Sequence, residues 1–213
     1  MTMRLYEVHP ALSHFPIALL PTAVGADVVG RITDDDRLRE MARITTPLAA
    51  CTAALTGAAG LISQEQVHLH GKSDSILYTH RNLNFGLTAV TAAMSVYRMS
   101  HRRPGWGYLL LGVGAVAAAT YGGYLGSKMV YDEGVGVERA QGVRRDRSPE
   151  LRPQNLGDIV HAIGRDLKNG VGHSVMALLR RLDIDFMPSP GTLQRSIDAD
   201  PSTGSIDPVP TAP

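Results

Sequence analysis

Apolar runs, charged only at Asp27, alternate with short charged stretches through the first 132 residues, and the pattern then stops. The runs extend from Pro10 or His14 to Gly30, from Ile44 to Ile62, from Asn82 to Tyr97 and from Trp106 to Ser127. Each is near the length a helix needs to cross a bilayer, although the third spans only about 24 Å unless it extends back through Arg81 and His80. Pro16 and Pro21 would break a soluble helix; in a membrane their freed carbonyls can find neighbouring partners, so a kink is expected. Ala49, Ala50, Ala53, Ala54, Gly57, Ala58 and Gly60 fill the second run with small residues that let backbones approach closely. Gly122 and Gly126 have the same small-xxx-small spacing in the fourth. Trp106 and Tyr108 at its start, with Tyr124 and Tyr131 at its end, read as aromatic belts.

The fold class predicted is all-α: a four-helix transmembrane bundle followed by a partly helical, partly disordered C-terminal tail. Its boundaries are 5–142 for the four-span domain, 143–186 for a polar tail with an amphipathic stretch and 187–213 for a disordered end. In the tail, Leu156, Ile159, Val160, Ile163 and Leu167 recur at helical spacing, suited to a membrane surface or a partner. Gly170 and Gly172 interrupt that stretch and predict two short helices. Arg139, Arg144, Arg145, Arg147 and Arg152 read as solvated. Residues from Met187 are rich in Pro, Ser, Thr and Asp, a composition that does not build a core. Gly134-Val135-Gly136-Val137 reads as an extended stretch that caps the bundle.

Composition adds little beyond exclusions. The 213 residues have a net charge of +1, so nothing points to nucleic acid. Mean hydropathy near zero averages an apolar half with a polar one. The one cysteine, Cys51, lies in an apolar run, where a small buried residue is expected. The first run resembles the apolar part of a signal peptide, but His and Pro interrupt it and three further runs follow, which favours a retained span. The connector from Arg31 to Arg43 reads as solvated, and His101 as exposed. No serine elbow, Cys/His pair or phosphate loop is present in the sequence.

The candidate chemistry is histidine. Four alternating spans bring the start of the first, the end of the second, the start of the third and the end of the fourth to one membrane face. His9, His14, His68, His70 and His80 all fall there. The arginine-rich connectors on the other side, Arg31 to Arg43 and Arg98 to Arg103, argue that the histidine face is outside, while Lys128, Arg139, Arg144 and Arg145 pull the other way. A b-type haem needs two imidazoles from different helices. His14 and His80 are the preferred iron ligands, with His9 the substitute for His14. Asn84, one turn from His80, and Tyr124 would be supporting donors. A transition-metal site built from the same histidines, with Asp27 on an ion path, is a second reading. A non-catalytic scaffold or assembly subunit, recruiting partners through its tail, is a third.

His9-Pro10, His14-Phe15-Pro16, His80 with Asn84, and the exit from Leu125-Gly126 through Val130-Tyr131 to Gly134-Val135-Gly136-Val137 resemble a bacterial membrane family, "domain of unknown function 2231", over about residues 5–142. The resemblance implies a four-span, multi-pass protein of the bacterial inner (cytoplasmic) membrane. Some relatives look fused to Rieske-type iron–sulfur domains, which implies electron transfer. This chain lacks the cysteines for such a cluster, so any redox partner would be a separate protein beside the lipid bilayer. The resemblance carries no enzyme activity or oligomeric state.

Overall fold

The computed structural model describes residues 3–69 and 73–181. His70 and the segment 187–213, for which metal binding and disorder were expected, lie outside the described residues. The described fold is helical, with isolated bridges and no strand. Helices α1 (Val8–Ile32), α2 (Asp36–Gln66), α3 (Ser73–Ser100) and α4 (Trp106–Tyr131) form a bundle, and α5 (Leu156–Arg181) follows. The first compact unit runs to Val171; the second begins at Gly172.

Each bundle helix packs on its neighbours in the order α1, α2, α3, α4, and α4 returns to α1. Short connections make successive helices antiparallel, the arrangement predicted from alternating runs. Leu20, Val24, Ala49, Met94, Tyr108, Leu109 and Ala115 form the central core. Gly112 is where α4 comes closest to both neighbours: a Cβ there would lie 3.0 Å from Val24 and 3.2 Å from Met94. Small residues such as Gly112 let the helices approach closely around these side chains.

Three helical segments, Leu5–Ile32, Asp36–Gln66 and Trp106–Tyr131, are long and apolar enough to cross a membrane. Only 28 % of each one's most apolar window is buried inside the protein. Leu55, Val96 and Leu110 are 61 %, 67 % and 70 % exposed. So much outward apolar surface suits lipid, not water. Helix α3 has the length, 28 residues, but not the uniform apolarity. Its Arg81 and Arg98 are instead turned into the bundle, at 8 % and 0 % exposure.

Those inward charges account for the boundaries that differ from expectation. The connector Arg31–Arg43 is not a solvated loop. Only Thr33–Asp35 separates α1 from α2, Asp35 caps α2 by accepting from the N–H groups of Arg37 and Leu38, and Arg39 is buried in the first turns. Arg39 donates to Asp34 and Asp36. The Arg98 guanidinium donates to both oxygens of Asp27, at 2.8–3.1 Å, and to the carbonyls of Arg39, His101 and Arg102. Asp27, fully buried, is the counter-ion of Arg98. Tyr108 belongs to this core, stacked on Tyr97 at 5.0 Å, and not to an aromatic belt. Trp106 and Tyr131 at the two ends of α4 are exposed, as belt residues would be. His101 is exposed as expected, with its ring on Tyr97 at 4.0 Å. Cys51 is exposed on α2, because the helix turns Ala42, Ala49 and Thr56 inward and leaves the thiol on the outer side.

At the opposite end, the exit from α4 is a tight turn and not an extended stretch. Val135 N–H bonds the Met129 carbonyl at 3.0 Å, with Gly134 and Gly136 at φ +65° and +75°. Only glycine adopts this left-handed backbone without cost, and the turn satisfies the last carbonyls of the helix. The chain then straps across this end: Leu5 N–H bonds the Pro149 carbonyl, His68 N–H that of Gly142, and Arg144 N–H that of Gln66. Helix α5 is one continuous helix through Gly170 and Gly172, where two were expected. Its Ala162, with Ile163 and Leu167, packs on Leu5 and Ile62. Gly170 lies directly against α2, where an added Cβ would sit 2.5 Å from the Leu61 carbonyl oxygen. The glycine therefore serves contact and does not break the helix.

Candidate functional site

The histidine-bearing end of the bundle forms a partly open cavity of about 730 Å³. It is within the usual range of cofactor pockets, about 300–1,000 Å³, and mostly apolar as such pockets are. The cavity runs from His9 to Leu20 along α1, roughly 16 Å of helix rise. All four bundle helices contribute to its walls, and Val135 and Gly136 of the exit turn close one end. His9, His14, His80 and Asn84 all line it.

His9 of α1 and His80 of α3 face one another, with ring centroids 6.4 Å apart and planes at 89°. His9 Nδ1 lies 3.0 Å from the Thr56 carbonyl oxygen on α2. His80 Nδ1 lies 2.9 Å from the Gly122 carbonyl oxygen on α4. A carbonyl only accepts, so each ring donates its Nδ1–H and leaves Nε2 as the nitrogen that can ligate. Four helices thus fix two imidazoles in position, with a backbone carbonyl on the Nδ1 of each, as in ligating histidines.

Glycines create the room. A Cβ at Gly60 would lie 3.1 Å from His9 Nδ1, and one at Gly126 would lie 3.3 Å from His80 Cε1. Gly122, four residues before Gly126, lets Asn84 approach, its hypothetical Cβ lying 3.4 Å from the amide. The small-xxx-small spacing of α4 is therefore the surface on which α3 places His80 and Asn84. Asn84 donates to the His80 carbonyl at 2.7 Å, which anchors its amide at the wall.

His14 is exposed, and its Nδ1 bonds the carbonyl of Pro10 one turn back at 2.9 Å. His68 is outside the cavity lining and is held through its backbone at Gly142. Tyr124, expected to support a ligand, is 56 % exposed and stacks on Tyr121, away from the cavity. Among the described residues no group of three or more His, Cys, Asp or Glu side chains converges as a metal cage. Sequence reasoning missed Gly60 and Arg81 as cavity residues. The run of small residues in α2 signalled the first; adjacency to His80 was the only hint of the second.

A bundle whose outer surface is apolar and whose charges are turned inward defines a helical membrane protein. Comparison with known families agrees: the chain belongs to the family described as predicted membrane protein (DUF2231), which matches residues 6–139, well over half its length. No curated protein and no solved structure matches it.

Proposed function

We propose that this membrane protein holds a b-type haem between His9 and His80 and exchanges electrons with a separate redox protein at the membrane. The observation that carries the proposal is the imidazole pair. Two metal–nitrogen bonds of about 2.0 Å, plus the ring radii, separate the centroids of two ligating imidazoles by about 6 Å. His9 and His80 are 6.4 Å apart. They come from different helices, beside a cavity of cofactor size. A donor set of two suits haem, which supplies its own equatorial nitrogens, better than a bare ion, which takes more protein ligands. His9 replaces His14 in the pair, because packing on α2 fixes it while His14 is tied to its own helix.

When bound, the haem would supply one-electron redox chemistry. The chain's own residues hold the ligand tautomers through Thr56 and Gly122, exclude water with an apolar wall and keep the helices apart with glycine. Helix α3 serves as a fourth span in the bacterial inner membrane, with its buried Arg98 paired with Asp27 inside the bundle.

Haem titration of the detergent-purified protein, followed by its Soret absorbance, tests the proposal. One haem per chain is expected, with binding weakened in His9→Ala and in His80→Ala, lost when both are replaced and retained in His14→Ala. No saturable Soret band, or equal binding by a His9→Ala/His80→Ala double variant, would overturn it.

A further inference from the structure

We infer that the first part of α5, Leu156 to Val171, lies along the bilayer surface at the histidine end, with the flank of Leu156, Val160 and Val171 set into lipid where headgroups meet hydrocarbon. This placement holds whatever the cavity binds. The contacts of α5 with α2 give its direction. Ala162 packs with Ile62 and Leu5, the Asp166 carboxylate accepts from Gln66 Nε2 at 2.8 Å, and Gly170 lies against the Leu61 carbonyl oxygen. From Ala162 to Gly170, about 12 Å of helix rise, α5 thus meets only Leu61 to Gln66 of α2, about 7.5 Å of rise, and not in sequence order. A helix running alongside α2 would advance along it turn by turn, whereas one crossing it steeply stays at one level. Helix α2 is long and apolar enough to cross the membrane, so a helix that crosses it steeply near its end lies along the membrane surface.

The two flanks of α5 differ. With Ala162, Asp166 and Gly170 as the docked line, Leu156, Val160 and Val171 fall about 110° to one side and Asp158, His161, Arg165 and Lys168 about 120° to the other. The apolar three are 63 %, 61 % and 46 % exposed. The charged flank is on the water side. Arg165 donates to the Arg147 carbonyl of the strap across this end of the bundle, and with Asp158 and His161 it walls a polar cavity of about 320 Å³ there. The apolar flank is turned the other way, toward the hydrocarbon that the exposed Leu48 and Leu55 of α2 also face. An interfacial helix has this division, its apolar side buried roughly 5–10 Å among headgroups and acyl chains and its charged side in water. Lipid fits better than a protein partner, because bare apolar side chains on one flank and charges on the other match the change of polarity across the membrane surface.

Nitroxide spin labels test this in the full chain, reconstituted alone in phosphatidylcholine vesicles. Leu156→Cys, Val160→Cys and Lys168→Cys are each made in a Cys51→Ala background and checked for helicity. Oxygen collects in hydrocarbon and a water-soluble nickel chelate stays outside it, so the ratio of a label's access to the two reports its surroundings. Leu55→Cys, on the outer side of α2, supplies the value for hydrocarbon. The oxygen-to-nickel ratio is expected to be severalfold higher at Leu156→Cys and Val160→Cys than at Lys168→Cys. Equal ratios at Val160→Cys and Lys168→Cys would put both flanks in water and overturn the placement. Low access of both reagents to Leu156→Cys and Val160→Cys would overturn it too, by showing that protein, such as a second copy of the chain, covers that flank.

Discussion

Removing the Asp27 carboxylate charge should destabilise the bundle more than any cavity-lining change. Arg98 and Asp27 are both fully buried and share hydrogen bonds of 2.8–3.1 Å from two guanidinium nitrogens. Asp27→Asn keeps the shape but leaves the Arg98 charge without its counter-ion, at a cost of about 3–5 kcal/mol. Arg98→Met leaves the carboxylate unpaired. It also removes a donor from the buried Arg39 carbonyl, which adds about 1 kcal/mol and brings the total to roughly 4–6 kcal/mol. In the double variant neither charge is stranded, so its loss should fall short of the sum by about 3 kcal/mol. Denaturant unfolding in mild detergent measures this. The one tryptophan, Trp106, is a local reporter, since the Arg31 guanidinium lies 5.6 Å from its ring centre. A loss below about 1 kcal/mol for Asp27→Asn, or additive losses in the double variant, would refute the reasoning that these charges close the arginine-rich end.

Gly170→Ala places a methyl against the Leu61 carbonyl oxygen, an overpacking cost of about 1–3 kcal/mol that exceeds the gain in helix propensity of about 1 kcal/mol. Faster proteolysis within α5 should report the loosened contact, and unchanged cleavage would count against it. The hydrogen bond from Arg39 to Asp34, with the charges of Arg39 and Arg103, holds the Asp34 carboxyl below its ordinary range. A carboxyl depressed in the folded state contributes stability above its ordinary range and loses it as pH falls through the folded value. Thermal melts across acidic pH should therefore lose an acid-side decline in Asp34→Asn that wild type shows. Cys51, exposed on a membrane-spanning helix, should react in vesicles with a lipid-soluble maleimide and not with a charged one. Equal labelling by both would place that face of α2 in water.

The four bundle helices were readable because runs without charge are rare outside membranes. Their ends were not, because a charge usually ends a span. Arg39 and Arg98 do not: Arg39 is neutralised by Asp34 of the connector and Asp36 of its own helix, and Arg98 by Asp27 of α1. The collection of histidines at one end followed from alternation alone. Choosing among them did not: His9 and His14 are five residues apart, about 140° around a helix, and only the packing of α2 decides which is turned inward. Trp106 and Tyr108 show the same limit, with aromatic rings two positions apart, one exposed and one in the core. Gly170 looked like a helix breaker because propensity counts its missing side chain as a loss, whereas docking on Leu61 requires that absence.

The most direct measurement is an electron paramagnetic resonance spectrum of the oxidised, haem-loaded protein in detergent. Two imidazoles fixed at right angles predict a low-spin ferric signal of strong anisotropy in wild type, replaced by a high-spin signal in His80→Ala and in His9→Ala. A high-spin signal in wild type, or a low-spin signal that survives both substitutions, would contradict the pairing of His9 with His80.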